Sequence, residues 1–108
     1  MRELITAIPK RFYWGAATSA HQVEGNNHND WTEWELKNSK IKSGRACDHY
    51  NRFREDFDIA KQLGHNAHRF SIEWSRIEPE EGKFDEKEIE HYREVLKALR
   101  ERGIEPLV

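Results

Sequence analysis

Apolar residues recur at steps of three and four in two stretches of the chain, and this spacing predicts two amphipathic helices. The first covers 48–63, with Asp48 as its N-cap and Gly64 directly after its last turn. The apolar stripe that would face a core consists of Tyr50, Phe53, Phe57, Ala60 and Leu63.

The second predicted helix begins after Asp85 and ends before Gly103. Asp85 is a favourable N-cap, Glu88 completes an acidic version of the capping box, and Phe84 can pack onto Ile89 as a hydrophobic staple. Each helix has one apolar face that needs a partner. The stripe of the second consists of Ile89, Tyr92, Val95 or Leu96, and Leu99.

Between the two helices, residues 68–77 alternate polar and apolar side chains, which is typical of a strand. A strand that is buried on both faces is apolar throughout, so charge on one face indicates a site. The polar face carries Arg69, Ser71 and Glu73, and the apolar face carries Phe70, Ile72 and Trp74.

The remaining segments complete an alternating order of strands and helices. That order predicts parallel β/α units, with the third strand as an uncovered edge. A barrel of eight such units takes about 250 residues, so we expect the chain to supply about the first third of one. The segments are a first strand at 11–17, an irregular loop at 18–29, a single helical turn at 30–36, an exposed loop at 37–44 and a third strand at 104–108.

Composition narrows the class of protein. The 108 residues include 18 basic and 20 acidic ones, well mixed, which indicates neither a nucleic-acid surface nor a membrane surface. The chain lacks an apolar run of roughly 18 residues, a signal-peptide core, a phosphate-binding glycine loop and a nucleophile turn. The single cysteine, Cys47, allows no intrachain disulfide and fits a reducing compartment. Together with the lack of a signal-peptide core, this leads us to expect a cytoplasmic protein. Nothing in the chain implies a metal or an organic cofactor.

Arg69 is the strongest candidate for chemistry, because an inward guanidinium in a packed barrel needs an anionic partner. It either contacts a catalytic carboxylate or an anionic substrate group, or it forms an ion pair with Glu73 or with a neighbouring strand. Glu73 lies toward the carboxyl end of its predicted strand, where barrel enzymes hold their active sites. Alone, such a glutamate is more often a structural partner of arginine than a general acid.

Gln22 and Glu24 lie in the loop after the first strand, on the same side of the sheet. Amide and carboxylate groups suit hydrogen bonding to vicinal hydroxyls, and they equally suit the stabilisation of a turn. Tryptophan can stack on a sugar or pack in a core, and histidine can be a ligand, an acid–base group or neither. The residues concerned are Trp14, Trp31, Trp34, Trp74, His21, His49 and His68.

Residues 12–26, Phe-Tyr-Trp-Gly-Ala-Ala-Thr-Ser-Ala-His-Gln-Val-Glu-Gly-Asn, resemble the N-terminal signature of glycoside hydrolase family 1, the β-glucosidase and β-galactosidase clan. Every constrained position from Phe12 to Glu24 agrees with that signature. Asn26 stands where the family usually has a small residue, and His68 where it often has tyrosine. The resemblance covers essentially the whole chain from residue 11, through 46–50, 53–64, 69–77 and 103–108.

The resemblance implies an α/β fold, the (β/α)8 TIM barrel. Residues 1–108 would form the N-terminal part of one incomplete barrel domain, roughly the first two β/α units and the third strand. The implied enzyme is a retaining, exo-acting β-glycosidase that removes terminal β-D-glucosyl or galactosyl residues with two glutamates, both outside this chain. Glu24 and Glu73 match neither glutamate. Gln22 matches the residue that hydrogen-bonds hydroxyls of the terminal sugar, and Arg69 matches the one that contacts the nucleophile.

The chain by itself could have one of three roles. It could be one part of a split barrel that takes a β-glycoside substrate and is active only with the remaining C-terminal chain of the barrel as its partner. It could be an inactive truncated fragment, at most a sugar-binding or self-associating module. It could also be a structural fragment whose exposed third strand drives oligomerisation.

Overall fold

A computed structural model of the protein describes residues 7–108, and it contains a three-stranded parallel sheet with helices packed against it. Residues 1–6, which carry most of the argument about a signal peptide, lie outside the described part. Within residues 7–108, no helix is long and apolar enough to cross a membrane. The elements are β1 (Gly15–Ala17), α1 (Ala20–Val23), α2 (Asp30–Asn38), α3 (His49–Gln62), β2 (Ala67–Arg69), α4 (Trp74–Ile77), α5 (Glu86–Glu101) and β3 (Glu105–Leu107).

The sheet has the order β1-β2-β3, with Ala16, His68 and Pro106 in register. This confirms the predicted parallel β/α order. The first strand is shorter than the predicted 11–17, but its small residues do permit a close backbone approach. A Cβ at Gly15 would stand 2.0 Å from the carbonyl oxygen of Ala67 in β2. The predicted edge strand at 104–108 is confirmed as β3.

The central strand predicted over 68–77 is wrong in its second half. β2 ends at Arg69, and α4 is a helical turn that begins at Trp74. The last ladder bond in this segment runs from the N–H of Phe70 to the carbonyl of Leu107 at 3.0 Å, so no strand partner remains beyond it. The alternation holds only as far as Ile72, which packs against the core, while Trp74 is exposed.

The first predicted helix is confirmed as α3, with two corrections. Leu63, placed in the apolar stripe, is 70% exposed because it follows the last helical residue. Asp48 has a left-handed φ of 53° and no side-chain cap bond. Its carboxylate instead accepts from Nδ2 of Asn51 at 2.8 Å, so Asp48 occupies the predicted N-cap position but its side chain does not cap the helix. The core between α3, α5 and β2 is formed by Phe53, Phe57, Ala60, Phe70, Ile77, Tyr92, Val95, Ala98, Leu99 and Ile104.

The start of α5 agrees with the sequence only in part. Oδ1 of Asp85 accepts from the N–H groups of Lys87 and Glu88 at 2.9 and 3.4 Å, which confirms the predicted N-cap. The capping box is wrong, because the carboxylate of Glu88 accepts the hydroxyl of Tyr50 at 2.9 Å. The N–H of Asp85 donates to the carbonyl of Ile77 at 2.8 Å, and this hydrogen bond joins the start of α5 to the end of α4.

Two helices lie where the sequence predicted loops or a single turn. α1 falls inside the segment 18–29 predicted as irregular, and α2 extends beyond the predicted turn to Asn38. α2 begins with a complete capping box, in which Asn29 accepts from Thr32 N and the hydroxyl of Thr32 accepts from Asn29 N. The spacing Asn-x-x-Thr was therefore the signal that could have identified this helix.

Candidate functional site

The loops that follow β1 and β2 meet at the carboxyl edge of the sheet. The N–H of Thr18 donates to the carbonyl of Arg69 at 3.0 Å, and the N–H of Ala20 donates to Oγ of Ser71 at 2.8 Å. These two bonds hold the start of α1 against the segment that leaves β2. Gln22 and Arg69, the two predicted site residues, therefore lie on neighbouring segments.

Gln22 lines a groove of about 620 Å³ that runs along α1 and α2. Trp31 and Trp34 of α2 also line it, with their rings edge to face and their centroids 6.0 Å apart. His21 and Glu35 join them, paired through Nε2 and Oε1 at 2.9 Å. The groove thus combines an amide, a carboxylate and aromatic surface, which suits a ring that carries hydroxyl groups.

Arg69 is the last residue of β2, and its side chain is exposed. Within residues 7–108 it has no carboxylate partner, since the ion pairs of the described chain involve other arginines and lysines. The predicted alternative of a pair with Glu73 is therefore wrong. A guanidinium at the carboxyl end of a central strand remains free to contact an anion.

Glu73 is held by amides and hydroxyls. Its Oε2 accepts from Nδ2 of Asn27 and of Asn29, each at 3.1 Å. Its Oε1 accepts from Oγ of Ser75 at 2.8 Å, and its backbone N–H donates to the hydroxyl of Tyr92 at 3.0 Å. With these bonds Glu73 fixes the loop after β1 against the start of α4, which is a structural role.

Glu24 is buried, with only 4% of its surface exposed. Its Oε1 accepts the hydroxyl of Tyr92 at 2.6 Å, and its Oε2 accepts from Nε of Arg76 at 3.1 Å. Burial raises the pKa of Glu24, against the opposing effects of the Tyr92 bond and the Arg76 charge. Burial also raises the pKa of Tyr92, followed by the nearby charge of Glu24. Glu24 therefore anchors the end of α1 to the core.

Arg76 is a residue that sequence reasoning missed. Besides Glu24, it donates to Oδ1 of Asn27 at 2.9 Å and to the carbonyl of Gly25 at 2.8 Å. Its guanidinium lies 4.1 Å from the ring centre of Tyr50. Because Arg76 stands 52 positions after Glu24 in the chain, no local pattern could have indicated this cluster.

The predicted histidines do not assemble into a ligand set. Nδ1 of His49 lies 2.7 Å from Oδ2 of Asp56, and Nε2 of His68 lies 3.2 Å from the hydroxyl of Thr18. Burial lowers the pKa of His68. In the described part of the chain, no group of three His, Cys, Asp or Glu side chains could hold a metal ion. Nor does any tryptophan pack in the core, since Trp14, Trp31, Trp34 and Trp74 are all at least half exposed.

A parallel β/α order with its polar groups at the carboxyl ends of the strands is the arrangement of a barrel enzyme. The comparison with known families makes this specific, because the model of Glycosyl hydrolase family 1 matches residues 5–108. The chain belongs to this family. It forms the N-terminal part of the TIM barrel of the family's solved structures, with roughly the first two β/α units and the third strand.

Individual relatives agree with this assignment. The chain is 38% identical to Beta-glucosidase A of Thermotoga maritima, over 96% of this chain and 26% of that protein. It is 40% identical to Beta-glucosidase A of Acetivibrio thermocellus, over 94% and 25% of the two chains. The solved beta-glycosidase from Pyrococcus horikoshii superposes with a TM-score of 0.87 at 50% identity, over 94% and 24%.

The family 1 β-glucosidase from Thermotoga maritima superposes with a TM-score of 0.86 at 35% identity, over 94% of this chain and 26% of that one. That protein has also been solved in complex with castanospermine and with a methoxycarbonyl-substituted glucoimidazole. The present chain spans about a quarter of the length of the relatives that it matches.

Proposed function

We propose that this chain is part of a retaining, exo-acting β-glycosidase that removes terminal β-D-glucosyl or galactosyl residues. Two glutamates from the rest of the barrel, with carboxyl groups about 5–5.5 Å apart, would do the chemistry. One would attack the anomeric carbon, and the other would protonate the leaving oxygen. Residues 1–108 would belong to one incomplete barrel domain in the cytoplasm. Membership of family 1 and relatives named as β-glucosidases support this proposal.

The observation that carries the proposal is the exposed guanidinium of Arg69 at the carboxyl end of β2. Its partner would be the nucleophilic glutamate of the complete barrel. A cation beside that carboxylate lowers its pKa, so it stays ionised while the partner acid remains protonated. In this role Arg69 needs no partner from its own segment, which agrees with the pairing of Glu73 to amides and hydroxyls.

Gln22 is the second site residue of the proposal. Its amide can donate and accept at once, which suits two neighbouring hydroxyls of the terminal sugar. It lines the groove next to Trp31, whose indole offers an apolar surface to a sugar ring. The complexes of the Thermotoga maritima enzyme support a ligand with the shape of a sugar ring.

The chain alone would be inactive and would gain activity when the remaining C-terminal part of the barrel docks against its sheet. The strand β3 supports this, because one of its edges is unpaired within residues 7–108. An inactive fragment that binds sugar or associates with itself is the alternative. Intact-mass measurement of the purified protein under denaturing conditions separates the two, since a second, larger polypeptide indicates a split enzyme.

The activity is tested on a completed barrel, in which residues 7–108 replace the matching quarter of the Pyrococcus horikoshii β-glycosidase. We expect hydrolysis of an aryl β-glucoside, with NMR of the first product showing the β-anomer. The unmodified Pyrococcus horikoshii enzyme is the control. A completed barrel that melts cooperatively but hydrolyses no aryl β-glycoside would contradict the proposal.

A further inference from the structure

Gln22 stands on a helix that cannot hold its own position. α1 has four residues, and Ser19 at its N-cap position makes no side-chain cap bond. One helical turn is unstable in water without tertiary contacts. The orientation of Gln22 in the groove must therefore be fixed by its neighbours. His21 is the adjacent residue, and both of its ring nitrogens have partners.

The first partner is the amide of Asn29, whose orientation the fold determines. Oδ1 of Asn29 accepts from the N–H of Thr32 at 2.9 Å as the N-cap of α2. Nδ2 is therefore the donor, and it lies 3.2 Å from Nδ1 of His21 and 3.1 Å from Oε2 of Glu73. Both of its N–H groups are used, so one amide joins α1, α2 and the segment after β2.

The second partner of the histidine is Glu35. Since Nδ1 of His21 accepts from Asn29, the ring proton must stand on Nε2, which lies 2.9 Å from Oε1 of Glu35. The other oxygen, Oε2, accepts from the N–H and the hydroxyl of Ser43, each at 2.9 Å. The bond from Ser43 N–H, and next the one from His21, lower the pKa of Glu35 and favour its carboxylate. In this series of hydrogen bonds from Asn29 through His21 and Glu35 to Ser43, every donor thus has an acceptor.

We propose that Asn29 and His21 are positioning residues that orient Gln22 for the sugar, with His21 held as its Nε2–H tautomer between Asn29 and Glu35. The inference rests on the proposed role of Gln22 in glycoside binding. In this role the hydrogen-bonded residues Asn29, His21 and Glu35 contact no reacting atom themselves. Its effect on catalysis passes entirely through Gln22.

The tautomer is measured by nitrogen-15 NMR of the histidine rings in the 108-residue chain. We expect the His21 proton on Nε2. Asn29→Asp keeps the N-cap oxygen and removes both N–H donors of the amide. The ring proton of His21 is then expected on Nδ1, which donates a hydrogen bond to the new carboxylate. The control is Asn51→Asp on α3, which removes an exposed amide donor to Asp48 and leaves the His21 signal unchanged. A proton on Nδ1 in the unmodified chain, or no response to Asn29→Asp, would overturn the proposal.

A double-mutant cycle in the completed barrel tests whether Asn29 affects catalysis through Gln22. Asn29→Asp is expected to lower kcat/KM about tenfold when Gln22 is present, and to have no further effect beside Gln22→Ala. A purely structural role would give equal losses in both backgrounds and would refute the inference. If Asn29→Asp prevents folding, His21→Asn replaces it, because its oxygen can still accept from Asn29 while the reach to Glu35 is lost.

The two experiments separate the possible failures. A folded completed barrel with no glycosidase activity overturns the proposed function and the catalytic role of the positioning residues with it. The NMR result then still decides whether the hydrogen-bond chain fixes the His21 tautomer.

Discussion

Two arginines on either side of the β2–α4 connection have opposite surroundings. Arg76 satisfies its guanidinium within the chain, with the carboxylate of Glu24, two further oxygens and the ring of Tyr50. Arg69 stands seven residues earlier and has no carboxylate partner among residues 7–108. A charge that the chain pairs by itself stabilises the fold, and a charge that it leaves exposed at the carboxyl edge is available for a substrate or a catalytic group.

The same contrast separates two regions of the molecule. Between the helices, Phe57 and Leu99 are 1% and 0% exposed, so residues of the described chain itself bury these two side chains. Along the groove, Trp31 and Trp34 are 59% and 50% exposed beside Gln22. Substitutions on the helical side should therefore change stability, and substitutions along the carboxyl edge should change binding and catalysis.

The largest effect is expected at the buried pair. Glu24→Gln should destabilise the 108-residue chain by about 3–5 kcal/mol, because it leaves the charge of Arg76, whose side chain is only 18% exposed, without a carboxylate. The measurement is urea unfolding followed by circular dichroism. The control is Glu94→Gln, which removes an exposed pair with Arg54 and should cost less than about 1 kcal/mol. Equal losses for the two variants would show that burial does not distinguish these pairs.

A second variant sharpens this result. Adding Arg76→Met to Glu24→Gln removes the unpaired charge and leaves an apolar side chain of similar length. Part of the lost stability should return, because replacing a buried ion pair by apolar groups is often neutral. A further loss of stability in the double variant would mean that the other contacts of Arg76, to Asn27 and Gly25, dominate.

The second largest effect is expected for Arg69→Ala. Stability of the 108-residue chain should change by less than about 0.5 kcal/mol, because the side chain is an exposed one. In the completed barrel, kcat should fall by about 10²–10³-fold, because electrostatic support of the nucleophile is lost. The control is Arg93→Ala on the exposed face of α5, which should change neither quantity. Full turnover in a folded Arg69→Ala barrel would disprove the catalytic role.

The third effect is a pH dependence of stability on the helical side. Burial, and next the charge of Arg76, lowers the pKa of His91 to about 4. In the unfolded chain His91 binds a proton below about pH 6.5. In the folded chain the same histidine binds a proton only below about pH 4. Stability is therefore full above pH 6.5 and falls between pH 6.5 and 4, by about 2 kcal/mol after allowance for solvent screening.

His91→Phe tests this assignment, because a phenyl ring can keep the stacking on Tyr50 at 3.8 Å and cannot ionise. Urea unfolding at pH 7 and at pH 4.5 should show a smaller difference for this variant than for the unmodified chain. His28→Phe, at an exposed position, should leave the difference as it was. An unchanged pH dependence in His91→Phe would assign the effect to another group whose pKa is lowered by folding, such as His68.

Spacing along the chain predicts the helices better than the site. The apolar stripe and the cap of Asp85 predict α3 and α5 because both features lie within a few residues of each other. The strand at 68–77 is predicted too long because alternation continues past Arg69, where β3 offers no further backbone partner. The partners of Arg76 lie about fifty positions away, so only the folded chain brings them together.

The smallest effect is expected for Gln22→Ala in the groove, where a substitution should change catalysis and leave stability unchanged. Gln22→Ala should leave the unfolding free energy of the 108-residue chain unchanged, because α1 is held by the bonds of its neighbours Ala20, His21 and Glu24. In the completed barrel it should lower kcat/KM about tenfold, because hydroxyl contacts strengthen as the sugar ring distorts toward the transition state. Gln62→Ala at the exposed end of α3 is the matched control. An equal kcat/KM for Gln22→Ala and the unmodified barrel, across aryl glucosides and galactosides, would remove Gln22 from the site and leave Arg69 as its single candidate in this chain.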